Sequence, residues 1–94
     1  MTEEIYSSNS YNHISTATTT QVYTGACTLV AIVVNTTAAG TVGIKDGIDT
    51  NGAQVCVLKA SAAEGTYTYN VTLGTGLRFT NASTGDYTVV YRVH

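Results

Sequence analysis

The densest set of side chains able to do chemistry is Asp46-Gly47-Ile48-Asp49-Thr50-Asn51-Gly52, where Asp46, Asp49 and Asn51 offer oxygen ligands. A calcium loop of the EF-hand kind needs alternating oxygen ligands, a Gly at the sharp turn and a distal bidentate Glu. The spacing here is different and no Glu stands in place, whereas Asp-Gly and Asn-Gly are turn dipeptides, so the segment predicts a loop. His13 and His94 are the only imidazoles and lie near opposite ends of the sequence. A zinc site needs three or four converging ligands. Two separated His and two strand-borne Cys do not supply them within one chain, although a threefold axis would bring three copies of one His together. No Ser or Cys has a recognisable base and orienting group. Glu3, Glu4, Glu64, Asp46, Asp49 and Asp86 fall in the N-terminal segment or in turns, where solvated carboxylates are expected. The glycines sit at turns, without the strand–loop–helix setting of a phosphate site. The sequence therefore predicts a non-enzyme, with no catalytic, metal or cofactor-binding residues and no cofactor.

The elements that would carry a site are strands. Cys27-Thr28-Leu29-Val30-Ala31-Ile32-Val33-Val34-Asn35 is the longest apolar run and is rich in β-branched residues, which fit a pleated surface. Strict alternation puts Leu29, Ala31 and Val33 on one face and Val30, Ile32 and Val34 on the other. Ala53 to Ala60 repeats the pattern, with Val55 and Val57 on one side and Cys56 and Leu58 on the other. Both runs are apolar on two faces, so one face needs a cover from the chain itself or from another copy. Ile14 to Thr24 reads as a long Thr-rich strand, and Thr41 to Lys45 as a short one. Thr66 to Leu73 alternates with Tyr67, Tyr69, Val71 and Leu73 on one face, and Tyr87 to Val93 alternates likewise. Those tyrosines read as core; a stacked aromatic platform for sugars would require them to face outward. With seven or eight short strands, no helical segment and no Pro, the pattern predicts an all-β fold: a small antiparallel β-sandwich, jelly-roll-like or immunoglobulin-like. Residues 1–13 read as an extended N-terminal arm, a disordered terminus being the alternative, and residues 14–94 as the sandwich domain. Ile5, Tyr6 and Tyr11 would anchor the arm on a neighbour.

Composition narrows the partners. The 94 residues allow one domain, 44% of them hydrophobic and only 11% charged, against about 25% charged in ordinary soluble domains. Either Thr, Ser, Asn and Gly carry solubility, or much surface is hidden in an assembly. The formal net charge is −2, and Lys45, Lys59, Arg78 and Arg92 are scattered along the sequence. Binding to phosphate backbones or anionic membranes needs several basic contacts together, so neither nucleic acid nor membrane is expected as a partner. The acidic start Met1-Thr2-Glu3-Glu4 has no basic or apolar leader character, which predicts a chain made in the cytoplasm. In a reducing compartment Cys27 and Cys56 would be free thiols packed as small hydrophobes, a Cys27–Cys56 disulfide being the alternative.

The closing strands carry a resemblance. Gly65-Thr66-Tyr67-Thr68-Tyr69-Asn70-Val71, Gly76-Leu77 and Gly85-Asp86-Tyr87-Thr88-Val89-Val90-Tyr91-Arg92 resemble small β-sandwich structural proteins of tailed-phage virions, as does the apolar run Leu29 to Asn35 followed by a Gly-containing hairpin. The comparison is nearest to capsid cement or decoration proteins and covers Ile14 to Arg92. It is a resemblance of pattern, so no functional residue is carried over from it. It implies a virion structural protein on the capsid exterior that binds the major capsid protein as a homotrimer and stabilises the shell. Such a trimer needs an apolar contact, for which the arm residues Ile5, Tyr6 and Tyr11 and the strand face Val30, Ile32 and Val34 are the candidates. A carbohydrate- or receptor-binding sandwich of a tail fibre or adhesin is the alternative.

Overall fold

The structure, a computed structural model, describes residues 9–37 and 39–93. Its eight strands are β1 (Asn9–Ile14), β2 (Thr19–Thr24), β3 (Cys27–Thr36), β4 (Val42–Asp46), β5 (Ala53–Leu58), β6 (Gly65–Leu73), β7 (Gly76–Asn81) and β8 (Asp86–Val93). They form two four-stranded sheets, sheet A in the order β1-β8-β3-β6 and sheet B in the order β2-β7-β4-β5, with antiparallel pairing throughout. The first four strands pair with the last four in reverse, β1 with β8, β2 with β7, β3 with β6 and β4 with β5. That is a long hairpin rolled into a double Greek key, the jelly-roll arrangement. The seven-stranded immunoglobulin order is not what the chain adopts.

The start of the chain differs from the sequence expectation. Asn9–His13, expected in an arm, belong to β1 and pair along β8 from Asn9↔Arg92 to Ile14↔Tyr87. The rest of the expected arm, with Ile5 and Tyr6, lies outside the described residues. The expected strand Ile14 to Thr24 is divided by a bend, Ser15 to Thr18, that carries the chain from sheet A to sheet B. Ile14 is 4% exposed and Val22 9%, one under each sheet. Two sheets facing across about 10 Å cannot share one straight strand, and the even Thr spacing carries no mark of the break.

The two doubly apolar strands both contain a bulge. Between Leu29 and Ala31 the register against β8 moves from Leu29↔Tyr91 to Ala31↔Val90, so Val30 is an extra residue. A bulge advances the side-chain phase by one position. The core face of β3 is therefore Cys27, Leu29, Ile32 and Val34, all 2% exposed or less. Val30 and Val33 are half-buried on the outer side, and register puts Ala31 on that side too, covered to 7% exposure. Ile32 and Val34 are thus core residues rather than contact residues, and the expected face Val30–Ile32–Val34 does not exist. On β5 the step from Ile44↔Cys56 to Lys45↔Gln54 makes Val55 the extra residue. Val55 packs against the core beside Cys56, while Val57 is 56% exposed.

The core closes between the sheets. Phe79 of sheet B and Tyr87 of sheet A, both buried, tilt against each other at 5.6 Å between ring centres, within the range that favours aromatic pairs. Tyr23 meets Tyr91 in the same way at 5.9 Å. Tyr67, Tyr69 and Tyr91 pack against the core, and the Tyr67 hydroxyl donates to the Ala63 carbonyl at the rim. Cys27 and Cys56 are free thiols, and burial pushes both pKa values up, the opposite direction from that which activates a thiolate.

Candidate functional site

Three constellations stand outside the core. The first is the loop from Asp46 to Gly52, which the sequence predicts as a turn rather than a calcium site. Asp46 ends β4, and its carboxylate accepts the backbone N–H groups of Gly74 at 3.0 Å, Thr75 at 2.8 Å and Gly76 at 3.2 Å. These bonds hold its pKa below the ordinary carboxylate value, the Thr75 bond contributing most. Asp49 accepts the Asn51 N–H at 2.8 Å, an Asx turn. The carboxylates are spent on turns, and among the described residues no three His, Cys, Asp or Glu converge as a metal would need. Close packing adds to the constraint. A Cβ on Gly76 would lie 2.7 Å from the Gly47 carbonyl oxygen and 2.9 Å from Gln21 Nε2, so only glycine fits where the β6–β7 turn passes that loop.

The second constellation lies at one end of sheet A. His13 Nε2 is 2.6 Å from Asp86 Oδ1. Asn35 Nδ2 donates to Asp86 Oδ1 and to Thr88 Oγ1, each at 3.1 Å. β1, β3 and β8 are joined here by exposed side chains that stand far apart in sequence. The Asn35 and His13 bonds lower the Asp86 pKa. For both Asp46 and Asp86 the folded-state value lies below the ordinary 3.8. Their contribution is therefore present above that pH and is lost as pH falls through the lowered values. The urea midpoint should stay level from neutrality toward pH 4 and fall below it, and Asp46→Asn should flatten that fall. An unchanged acid limb in the variant would contradict the role given to Asp46.

The third is the outer surface of sheet A. Register places its side chains in rows across four strands: Tyr11–Val90–Ala31–Thr68, His13–Thr88–Val33–Thr66 and Asn9–Arg92–Thr28–Thr72. The first row has no charge, and the other two have one cation-forming residue each. Tyr11 is 72% exposed, and Val30, Val33 and Val90 are half-buried. Of the residues expected at an assembly contact, Tyr11 and Val30 are on this surface, Ile32 and Val34 are under it, and Ile5 and Tyr6 lie outside the described residues. Val33 and Val90 belong to the surface and were not anticipated. The bulge hid the first, and the second stands on a strand whose alternation drew attention only to its inner face. The tyrosines read as core, Tyr67, Tyr69, Tyr87 and Tyr91, do pack in or against it, and the alternative of an outward stacking platform is not what they form.

Comparison with protein families, with curated proteins and with solved structures returned no match.

Proposed function

We propose that the chain is a non-enzymatic virion structural protein, of the capsid cement or decoration kind, that assembles as a homotrimer and binds the major capsid protein on the outside of the shell. The observation that supports this reading is the low-charge, Val- and Thr-rich outer surface of sheet A, headed by the exposed Tyr11. A surface of this composition suits a permanent interface, whose core is apolar and poor in charge. Jelly rolls also serve as capsid domains, in keeping with the resemblance of the strand pattern. The mechanism is mechanical. Each protomer would bury part of the sheet A surface against its neighbours, a closed ring would leave no open contact, and three copies acting together would hold the shell with avidity.

Native mass by light scattering over a range of concentrations is the test. A species near three times 9.8 kDa that persists on dilution is the expected result, and a clean monomer overturns the trimer. The second test is truncation. Removing residues 1–13 would take β1 out of sheet A, so the informative deletion stops at Ser8. The shortened chain should keep its thermal stability and lose capsid occupancy, and undiminished occupancy would show that residues 1–8 take no part.

A further inference from the structure

The outer surface of sheet B is unlike that of sheet A. Its central row runs Gln21–Arg78–Lys45–Gln54 across β2, β7, β4 and β5, and the next row runs Thr19–Thr80–Gly43–Val57. Two of the four cations in the sequence are therefore direct cross-strand neighbours, an arrangement that is destabilising by itself. Both are half-buried. Among the described residues neither forms an ion pair with a carboxylate. The nearby acids are engaged elsewhere, Asp46 on the β6–β7 turn and Asp49 on Asn51.

The two heads are held in place by neutral acceptors. Lys45 Nζ donates to the Thr50 carbonyl at 3.0 Å. Arg78 donates through one terminal nitrogen to Gln21 Oε1 at 3.1 Å and to the Ile48 carbonyl at 3.4 Å. An ammonium has three donors and a guanidinium five, so both keep donors to spare. Beside Lys45, and without Arg78 in its wall, lies an open cavity of about 290 Å³ lined by Thr41, Gly43, Lys45, Gln54, Val57 and Thr80, together with Ala82. Its volume is near the lower end of small-ligand sites, about 300–1,000 Å³. The Gln54 amide lies over Gly43, its Nε2 3.3 Å from where a Cβ would stand, and donates to the Ile44 and Cys56 carbonyls at 3.0 and 2.8 Å. The wall offers hydroxyls at Thr41 and Thr80, the amide oxygen of Gln54 and one apolar side chain at Val57.

We propose that this surface is a binding site for a small hydroxylated anion, a sugar acid being the class of ligand, with its carboxylate at Lys45, next to the charge of Arg78, and its hydroxyls against Thr41, Thr80 and the Gln54 amide oxygen. The anion would relieve the like-charge pair, and charge-assisted hydrogen bonds are the strong ones. The site is on the opposite side of the sandwich from the proposed assembly surface and stands independently of it. The test is an amide-resolved NMR titration of the full chain with sodium glucuronate, with sodium sulfate and with glucose, at constant ionic strength.

Glucuronate should give saturable shifts at Gly43, Lys45, Gln54 and Thr80, and Lys45→Gln should weaken its binding about tenfold, the effect of roughly one lost contact to a charge. Gly43→Ala, which narrows the floor and leaves the charges alone, should weaken glucuronate more than sulfate. Saturation by sulfate as strongly as by glucuronate would assign the site to the anion alone. Equal response to glucose, absence of saturation with either anion, or glucuronate binding unaltered in a folded Lys45→Gln protein would each overturn the proposal.

Discussion

Ile32→Ala should lower folding stability by about 2–5 kcal/mol, the usual cost of truncating a buried Ile, whereas Val30→Ala, two positions earlier on the same strand, should cost under about 1 kcal/mol. Strict alternation would put these side chains on one face and give them similar costs. The bulge separates them. Ile32 has no exposed surface and sits in the row Asn12–Val89–Ile32–Tyr67 under sheet A, while Val30 is half-buried on the outside. A small domain with about 5–10 kcal/mol in total would lose a large share of it at Ile32. Urea unfolding of the two variants decides the point, and equal losses would refute the bulge. An acidic probe extends the test to function. Ile32→Asp should not fold, because it buries an unpaired charge. Val33→Asp should fold and lose the trimer, because it places three charges in the proposed contact. A Val33→Asp protein that stays trimeric would move the interface off sheet A.

Asp46→Ala should be the costliest substitution among the surface acids. It removes the acceptor of three backbone N–H groups. Hydrogen bonds to a charged group are worth about 1.5–3 kcal/mol each where they can be measured singly. Part of that is recovered here, because Asp46 is only half-buried and water can reach the freed donors. A net loss of about 2–3 kcal/mol follows, which for a domain of this size is a fall in Tm of roughly 10–15 °C. Asp49→Ala removes one bond in an exposed loop and should change Tm by only a few degrees. Calorimetry on both variants separates them. Comparable small losses would mean that Asp46 does not fasten the β6–β7 turn to β4.

The order of the two effects shows where sequence reading succeeds. Glycine and Asx punctuation identified the turn containing Asp46, since turn chemistry is local. It could not show that the carboxylate reaches a second turn 28 positions away, from Asp46 to Gly74. The same holds for His13 with Asp86, and for Lys45 with Arg78. In sequence these are scattered charges, and only strand pairing makes them neighbours. The tyrosines lay at the other extreme. Their alternation with Thr on β6 and β8 has one apolar side, and the core took that side.

What the sequence determined by itself was the all-β class, seven of the eight strands, most of the turns and the inward side of every strand that alternates cleanly. Each of these follows from propensity and period over a few residues. Tertiary structure alone decided the jelly-roll order, the membership of Asn9–His13 in sheet A and the true faces of β3 and β5. The physical reason is the same in each case. Strand pairing joins residues far apart along the chain, and one unpaired residue at Val30 or Val55 reverses the phase of a strand whose two sides are equally apolar, leaving the pattern of residue types unchanged.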